Sequence, residues 1–584
     1  MTLMDAVATR LRPRNTWRAS GFRAYLPGIF VGAILSVLVL PPLYILIEMA
    51  LTRVDGERID QGVTFVNFAK LLEDPGLYTS AKNSLVFSIG ATVLSLIIGG
   101  ILGWIVERTD ARMRSLAYLT AIISLGTPYI LYVSAWLFLL GRVGPFNQIY
   151  RWLTGDTGDF FNVYSISGMI FIEGLLWSPL TFLLMATTFR RANAEMEEAA
   201  RMSGASVFQT VWRVSLKLAA PAIFGLAIFV FIRNIEAFDV PVLIGMPRKI
   251  NLLTTDIYLG MTNIPPDLGY SSAFACVLIL VVALMLYFYS KVSKRADRYA
   301  SITGKGFRPR PFMLGKWRWL ASVIIVINFL MILVLPMIAV LWVSLTPFFQ
   351  KFSMRGLSFM TLDHYRNVFN QPIYLELAKN TLIIAIVSAT LVMALTAISG
   401  WLAVRRWPGG QYLEQITGVP LVFPGLVLGI AMLQIGLQVP IPLYGTIALL
   451  VLAFVTRYLP YGMRYSYTGV IQIHRELEEA AGVCGAGQAT TLRRIVAPLL
   501  SPSLIVGWLF IFLVASKELA MAVLLAGAHS KTIAVAMFDQ WANGDGGEVA
   551  AMGVVWTVFM TICAAIMQAL AKRQAKSFGG TLDT

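Results

Sequence analysis

Residues 195–221 read EMEEAARMSGASVFQTVWRVSLKLAAP, and residues 476–502 read ELEEAAGVCGAGQATTLRRIVAPLLSP. Both hold Glu-Ala-Ala, three residues, Gly, nine residues, a β-branched residue, then Pro within a few positions. The first copy places Glu198, Ala199, Ala200, Gly204, Val214 and Pro221 in that order; the second places Glu479, Ala480, Ala481, Gly485, Ile495 and Pro498. Glu and Ala are good helix formers, and a Gly after them supplies the positive φ that ends a helix. Each stretch therefore predicts a short helix, a tight turn at the Gly and a second helix. The small side chains of Ala199 and Ala200 leave a shallow helix surface that fits a groove on a partner. Beyond the turn, Phe208, Val211 and Trp212 stand at i, i+3 and i+4, an apolar stripe facing the membrane or a partner. One such stretch is compatible with an ordinary amphipathic helix on a bilayer surface. Two copies with the same internal spacing point to a shared function.

The chain around them has 584 residues, of which 57% are hydrophobic and 13% charged. Soluble domains carry about a quarter charged residues, so a soluble enzyme is excluded, and disorder is excluded by the hydrophobicity. Apolar runs long enough to cross a bilayer, which takes about 20 helical residues, lie near 28–51, 84–106, 116–140, 165–187, 218–238 and 271–290. A second set lies near 319–345, 380–404, 415–437, 443–463, 498–526 and 548–571. Lacking the alternation of barrel strands, they predict helices, giving an all-α polytopic membrane protein of about twelve transmembrane helices. With the N-terminus inside, the cytoplasmic segments hold 31 Lys and Arg against 13 outside. That bias places both termini and both Glu-Ala-Ala stretches in the cytoplasm. The formal net charge of +16 is thus a topology signal, and no compact basic domain suggests a nucleic-acid partner.

Outward again, the two sets of spans repeat. Leu40-Pro41 matches Leu335-Pro336, Ala81-Lys82-Asn83-Ser84 matches Ala378-Lys379-Asn380-Thr381, and Gly103-Trp104 matches Gly400-Trp401. Pro179 matches Pro460. The offset falls from 297 to 281 between span two and the Glu-Ala-Ala stretches. The 16 extra residues of the first half fall in the outside loop 142–164, whose counterpart is only QVPIPLY. Corresponding spans run the same way, so the repeat is parallel, six plus six. The expected units are a cytoplasmic segment 1–27, a first half 28–290 (core 78–290), a basic cytoplasmic linker 291–318, a second half 319–571 (core 374–571) and a cytoplasmic tail 572–584.

On these motifs the chain resembles the fused permease subunit of binding-protein-dependent ABC importers, and the two stretches resemble that family's EAA loops. The first departs by having Lys217 where Pro is usual, the second by Ala497 for the usual Leu. The resemblance implies a bacterial inner-membrane protein whose loops, through Glu198, Ala199, Ala200, Gly204, Glu479, Ala480, Ala481 and Gly485, dock on a cytoplasmic ATPase dimer. It also implies an extracytoplasmic substrate-binding protein. The chain carries no P-loop of its own: GAHSKT at 527–532 lacks the Gly before Lys531. No catalytic residues and no cofactor are expected.

Charges at the outer ends of spans five and eleven are the candidate pathway residues: Arg233, Glu236 and Asp239 in the first half, Lys517 and Glu518 in the second. Glu236 overlays Glu518, so two carboxylates facing one another across the pathway would suit a hard cation. The alternative is a structural pair between Arg233 and Glu236, three residues apart on a helix. Glu173 and Arg457 read as structural. KELAMAVLLAG and NIEAFDVPVLIG resemble a paired segment of iron(III) permeases, with Ala520-Met521 where Pro-Ala is usual. Iron(III) is the substrate this implies; thiamine, phosphonate and polyamine permeases of the same class are alternatives. Three scattered histidines, His364, His474 and His529, read as loop residues, and with the unpaired cysteines Cys276, Cys484 and Cys563 they form no resident metal site or membrane-embedded active centre. A secondary transporter of the major-facilitator type also has two parallel six-span halves, but gives no reason for duplicated Glu-Ala-Ala-Gly stretches. A membrane scaffold would not need them either.

Overall fold

The computed structural model describes residues 25–55, 58–191, 194–296 and 311–577. The basic N-terminal segment up to residue 24, linker residues 297–310 and residues 578–584 lie outside the described residues.

Eleven helices are long and apolar enough to cross a membrane, and a bent pair makes a twelfth. Lipid offers the backbone no hydrogen-bonding partners, so the apolar runs form helices that bond within themselves. The spans fall where the hydropathy places them, with edges displaced, except the third: instead of 116–140 the stretch that qualifies is Tyr129–Thr154, which runs into the expected outside loop. The second and eighth are longer than expected, Pro75–Arg108 and Pro372–Val404. The eleventh ends early, Gln488–Ala515 instead of 526. Among the described residues the departure from an all-helical fold is one antiparallel hairpin, Thr52–Asp55 with Arg58–Val63.

Span three of each half is broken, contrary to the continuous runs 116–140 and 415–437 read from the sequence. In the first half a helix Arg114–Gly126 stops before Thr127-Pro128 and a second, Tyr129–Leu140, follows. In the second half Gly410–Val422 and Gly425–Gln438 meet at 104° across Phe423-Pro424. The reason is chemical: Pro supplies no amide and pushes the residue before it out of the helical region, and both Thr127 and Phe423 are extended.

The first span of each half packs against the opposite half as well as its own. Leu35 and Val39 of Leu26–Ala50 join Leu402, Leu413 and Leu459 in one buried cluster. Ala321 and Ile325 of Gly315–Ser344 join Leu102, Phe182 and Ala186 in another. Lipid tails are as apolar as these side chains, so helix association here rests on close approach rather than on burial from water. The repeated Gly-Trp pairs supply that approach. A Cβ on Gly103 would lie 3.0 Å from the Ala186 amide nitrogen, and one on Gly400 would lie 3.2 Å from that of Tyr467. Both glycines let span two press against span four.

The repeated Ala-Lys-Asn-Ser/Thr also has a shared task. Asn83 Nδ2 donates to the Asn251 carbonyl (3.1 Å), and Ser84 Oγ accepts from the Leu253 amide (2.9 Å). Asn380 Nδ2 donates to the carbonyls of His529 (3.0 Å) and Lys531 (3.2 Å), and Thr381 Oγ1 accepts from the Ile533 amide (2.9 Å). In each half, span two thus clamps the chain that follows span five, which carries the candidate pathway charges. His364, expected in a loop, lies in the short helix Asp363–Asn370 and contacts the Thr346 carbonyl at 3.0 Å.

Candidate functional site

The two Glu-Ala-Ala stretches have one architecture. The first is a helix Ala194–Met202, a left-handed turn at Gly204 (φ +84°), a four-residue helix Val207–Thr210 and a five-residue π-turn Val211–Ser215 leading into span five. The second is Arg475–Val483, Gly485 (φ +80°), Gln488–Thr491 and a π-turn Leu492–Val496. The predicted helix, Gly turn and second helix are all present. Phe208 and Trp212 are exposed and stacked, with ring centroids 6.5 Å apart, while Val211 is half-buried.

The residues that anchor these helices are not those the motif singles out. Glu197, one position before Glu198, is buried, accepts from Ser215 Oγ (2.6 Å) and pairs with Arg108 (3.5 Å). Glu478, one position before Glu479, is buried and pairs with Arg405 (2.6 Å), while Trp401 Nε1 donates to it at 3.2 Å. Arg108 and Arg405 both stand at the end of span two, at the same offset of 297 as Gly103 and Gly400. The repeat already carried this signal: each copy has two adjacent glutamates, and each span two ends in an Arg. Glu198 and Glu479 themselves are half-buried; Glu479 pairs with Arg475 (3.0 Å), where the first copy has Ala194. Ala199 and Ala480 are exposed, whereas Ala200 and Ala481 turn inward, so one Ala of each pair forms the outer surface. Around it, Met196 and Met202 of the first copy and Leu477 and Val483 of the second are exposed at matching positions, Met202 by 91% and Val483 by 90%.

At the centre of the molecule the charges of both halves gather around one cavity of about 50 Å³, lined by Glu173, Arg233, Glu236, Asp239, Arg457, Lys517 and Glu518. Helix breaks create it. Span five ends at Ile235, so Glu236 and Asp239 lie just beyond its last turn, and span eleven ends at Ala515, just before Lys517 and Glu518. Glu236 and Glu518 share the cavity, yet they do not form an open carboxylate pair. Glu236 is held by Arg233, the i, i+3 partner foreseen as its structural alternative, and by Arg457 at 3.1 Å. Glu518 accepts from Tyr458 Oη at 3.0 Å. Glu173 accepts from Trp177 Nε1 at 2.9 Å, and Asp239 Oδ1 is buried without a partner among the described residues. Arg457, read from the sequence as structural, is the cross-half partner of Glu236. The described residues contain no cluster of three or more His, Cys, Asp or Glu placed to hold a metal ion.

The family model of the binding-protein-dependent transport system inner membrane component matches residues 95–298 and again 393–576. The chain belongs to that family. It is the permease component of an ABC transporter, a multi-pass inner-membrane subunit that does not itself hydrolyse ATP. The ferric transport system permease protein FbpB of Actinobacillus pleuropneumoniae is 24% identical over 91% of this chain and 76% of its own length. The spermidine/putrescine permease PotB of Escherichia coli K12 is 26% identical over 46% of this chain and 96% of its own. Among solved structures, a bacterial ABC transporter involved in the import of alginate aligns with 16% identity over 44% of this chain and 96% of its own, at a TM-score of 0.36.

Proposed function

We propose that this permease forms the translocation pathway of an importer for iron(III) and that each Glu-Ala-Ala helix docks on one subunit of a cytoplasmic ATPase dimer. The observation that carries the coupling role is the pair of matched surfaces: exposed Ala199 with Met196 and Met202, and exposed Ala480 with Leu477 and Val483. Exposed apolar side chains grouped at matching positions on both helices form the kind of patch that a groove on a partner covers. Glu197 and Glu478 give each helix a rigid tie to span two, so a displacement at the docked surface would reach the spans instead of being absorbed in the loop. Closing and opening of the ATPase dimer would then swing the halves, a rigid-body transition about a shared interface. The excess of Lys and Arg on this side supports a cytoplasmic location for both helices, the linker and both termini. An extracytoplasmic binding protein would deliver substrate from the other side.

Iron(III) as substrate is supported by the similarity to FbpB across most of the chain and by the carboxylates Asp239 and Glu518 at the central cavity, joined by Glu236 if its arginines let go, since hard cations prefer oxygen ligands. The similarity of one half to PotB keeps a polyamine as the second reading, because an organic polycation suits the same carboxylates. The transporter should be reconstituted with its own binding protein and ATPase, and ATP hydrolysis measured with iron(III), spermidine, a phosphonate and thiamine in turn. Stimulation by iron(III) alone is expected; stimulation by another ligand with indifference to iron(III) sinks the assignment.

A further inference from the structure

The central cavity lies on the seam between the halves, and two buried cations of the second half reach across it. Arg457 Nη2 donates to both carboxylate oxygens of Glu236, at 3.2 and 3.1 Å. Lys517 Nζ donates to the Leu125 carbonyl at 2.8 Å and sits 4.1 Å from the centroid of the Tyr129 ring. Among the described residues the other cross-half hydrogen bonds belong to the first spans and the residues just before them: Ser36 with Tyr412, Thr456 with the Leu38 carbonyl, Ser322 with the Arg112 amide, Leu314 with Asp110, and the Phe312 backbone with Arg108 and Asp110. At the centre, apolar packing such as Phe138 on Phe349 and Trp541 covers the seam, and its polar contacts are those of Arg457 and Lys517.

Both cations also engage the broken spans. Leu125 lies in the last turn before the break at Thr127-Pro128, where intrahelical amide donors run out. Arg457 Nη1 donates to the carbonyl of Phe423, the residue before Pro424. Each break leaves a carbonyl in a dry interior that needs a donor, and in each half a cation of the second half supplies it. A half-helix that pivots at such a break loses no backbone bond of its own helix; it loses the cation.

We infer that Arg457 and Lys517 are the latch of the translocation pathway: they close the seam by gripping Glu236 and Leu125 of the first half, and the pathway opens when both grips are released. The two grips cross the cavity of about 50 Å³ between the halves, so the wall of the pathway is continuous there while both hold. Arg405–Glu478, Arg108–Glu197 and Arg190–Glu107 each lie within one half and survive the motion intact. The inference rests on the importer reading and is independent of which substrate is carried.

The test uses the complete complex with its ATPase and binding protein in lipid nanodiscs, with Cys276, Cys484 and Cys563 replaced by Ser. Lys517→Met and Arg457→Met are expected to raise ATP hydrolysis without loaded binding protein at least fivefold. They are also expected to make a cysteine at the cavity-lining Ala520 react with a water-soluble maleimide. A merely structural role would lower assembly and leave both readouts unchanged in whatever complex forms, and that result overturns the latch. Should the Met variants fail to assemble, Ser124→Cys with Ser516→Cys keeps both latch residues and ties their neighbours across the seam through a short, reducible crosslinker. Uptake should stop on crosslinking and return on reduction; undiminished uptake through crosslinked complexes overturns the proposal. Loss of ATP dependence in the unmodified complex would instead count against the importer reading itself.

Discussion

The two halves agree closely at the Glu-Ala-Ala end and diverge at the centre. At the first, helix, left-handed Gly, four-residue helix and π-turn recur in register, each tied to the end of span two by a buried Arg–Glu pair. At the second, Glu236 recurs as Glu518, but Arg233, Asp239, Arg457 and Lys517 have no counterparts of the same charge in the opposite half. A duplicated surface fits a partner that comes in two equal copies. An unduplicated set of charges fits a single object passing once between the halves, which needs no symmetry.

The largest effects should come from breaking the shared anchors. Glu478→Ala leaves the largely buried Arg405 without its carboxylate, a loss of about 3 kcal/mol at the low end for such pairs, and should abolish transport while releasing the second helix from span two. Hydrogen exchange over residues 475–483 reports that release. Glu197→Ala should do the same to the first helix; if only one substitution matters, the halves are not mechanically equivalent. Next come the turns: Gly204→Val or Gly485→Val forces a β-branched residue to positive φ, about 1–3 kcal/mol of strain each. Co-purification of the ATPase should fall in both and be lost in the double variant.

Much of this was legible in the sequence. The positions of the spans, the parallel repeat and the turn at Gly204 and Gly485 follow from hydropathy, offsets and glycine stereochemistry, all local properties. The breaks in span three were also written there, as Thr127-Pro128 and Phe423-Pro424, but hidden because an apolar run looks continuous when only its hydropathy is read. What was not legible is partnership at a distance. Arg457 lies 221 residues from Glu236, and no periodicity links them; their meeting depends on how two half-helices bend. The motif likewise drew attention to Glu198 and Glu479, whereas burial selects their neighbours Glu197 and Glu478, because only the side facing span two can reach the Arg.

Smaller effects sharpen the comparison. Asn380→Ala removes two hydrogen bonds to the chain after span five and Asn83→Ala removes one. At about 1 kcal/mol per bond, Asn380→Ala should lower the thermal midpoint in nanodiscs more than Asn83→Ala. Equal shifts would mean that the clamp strength is set by Ser84 and Thr381 instead. Arg475→Ala removes an exposed i, i+4 pair with Glu479 and should change stability by no more than about 0.5 kcal/mol. A large loss of ATPase affinity with that small change would show that Arg475 touches the partner directly.

The most direct test of the coupling role is substrate uptake into proteoliposomes holding the complete complex, the complex without its ATPase, and the complex carrying Gly204→Val with Gly485→Val. Uptake is predicted to require ATP and the ATPase, and to vanish in the double variant although the permease still inserts and folds. Uptake driven by an ion gradient without the ATPase, or full ATP-driven uptake with both turns blocked, would contradict the account.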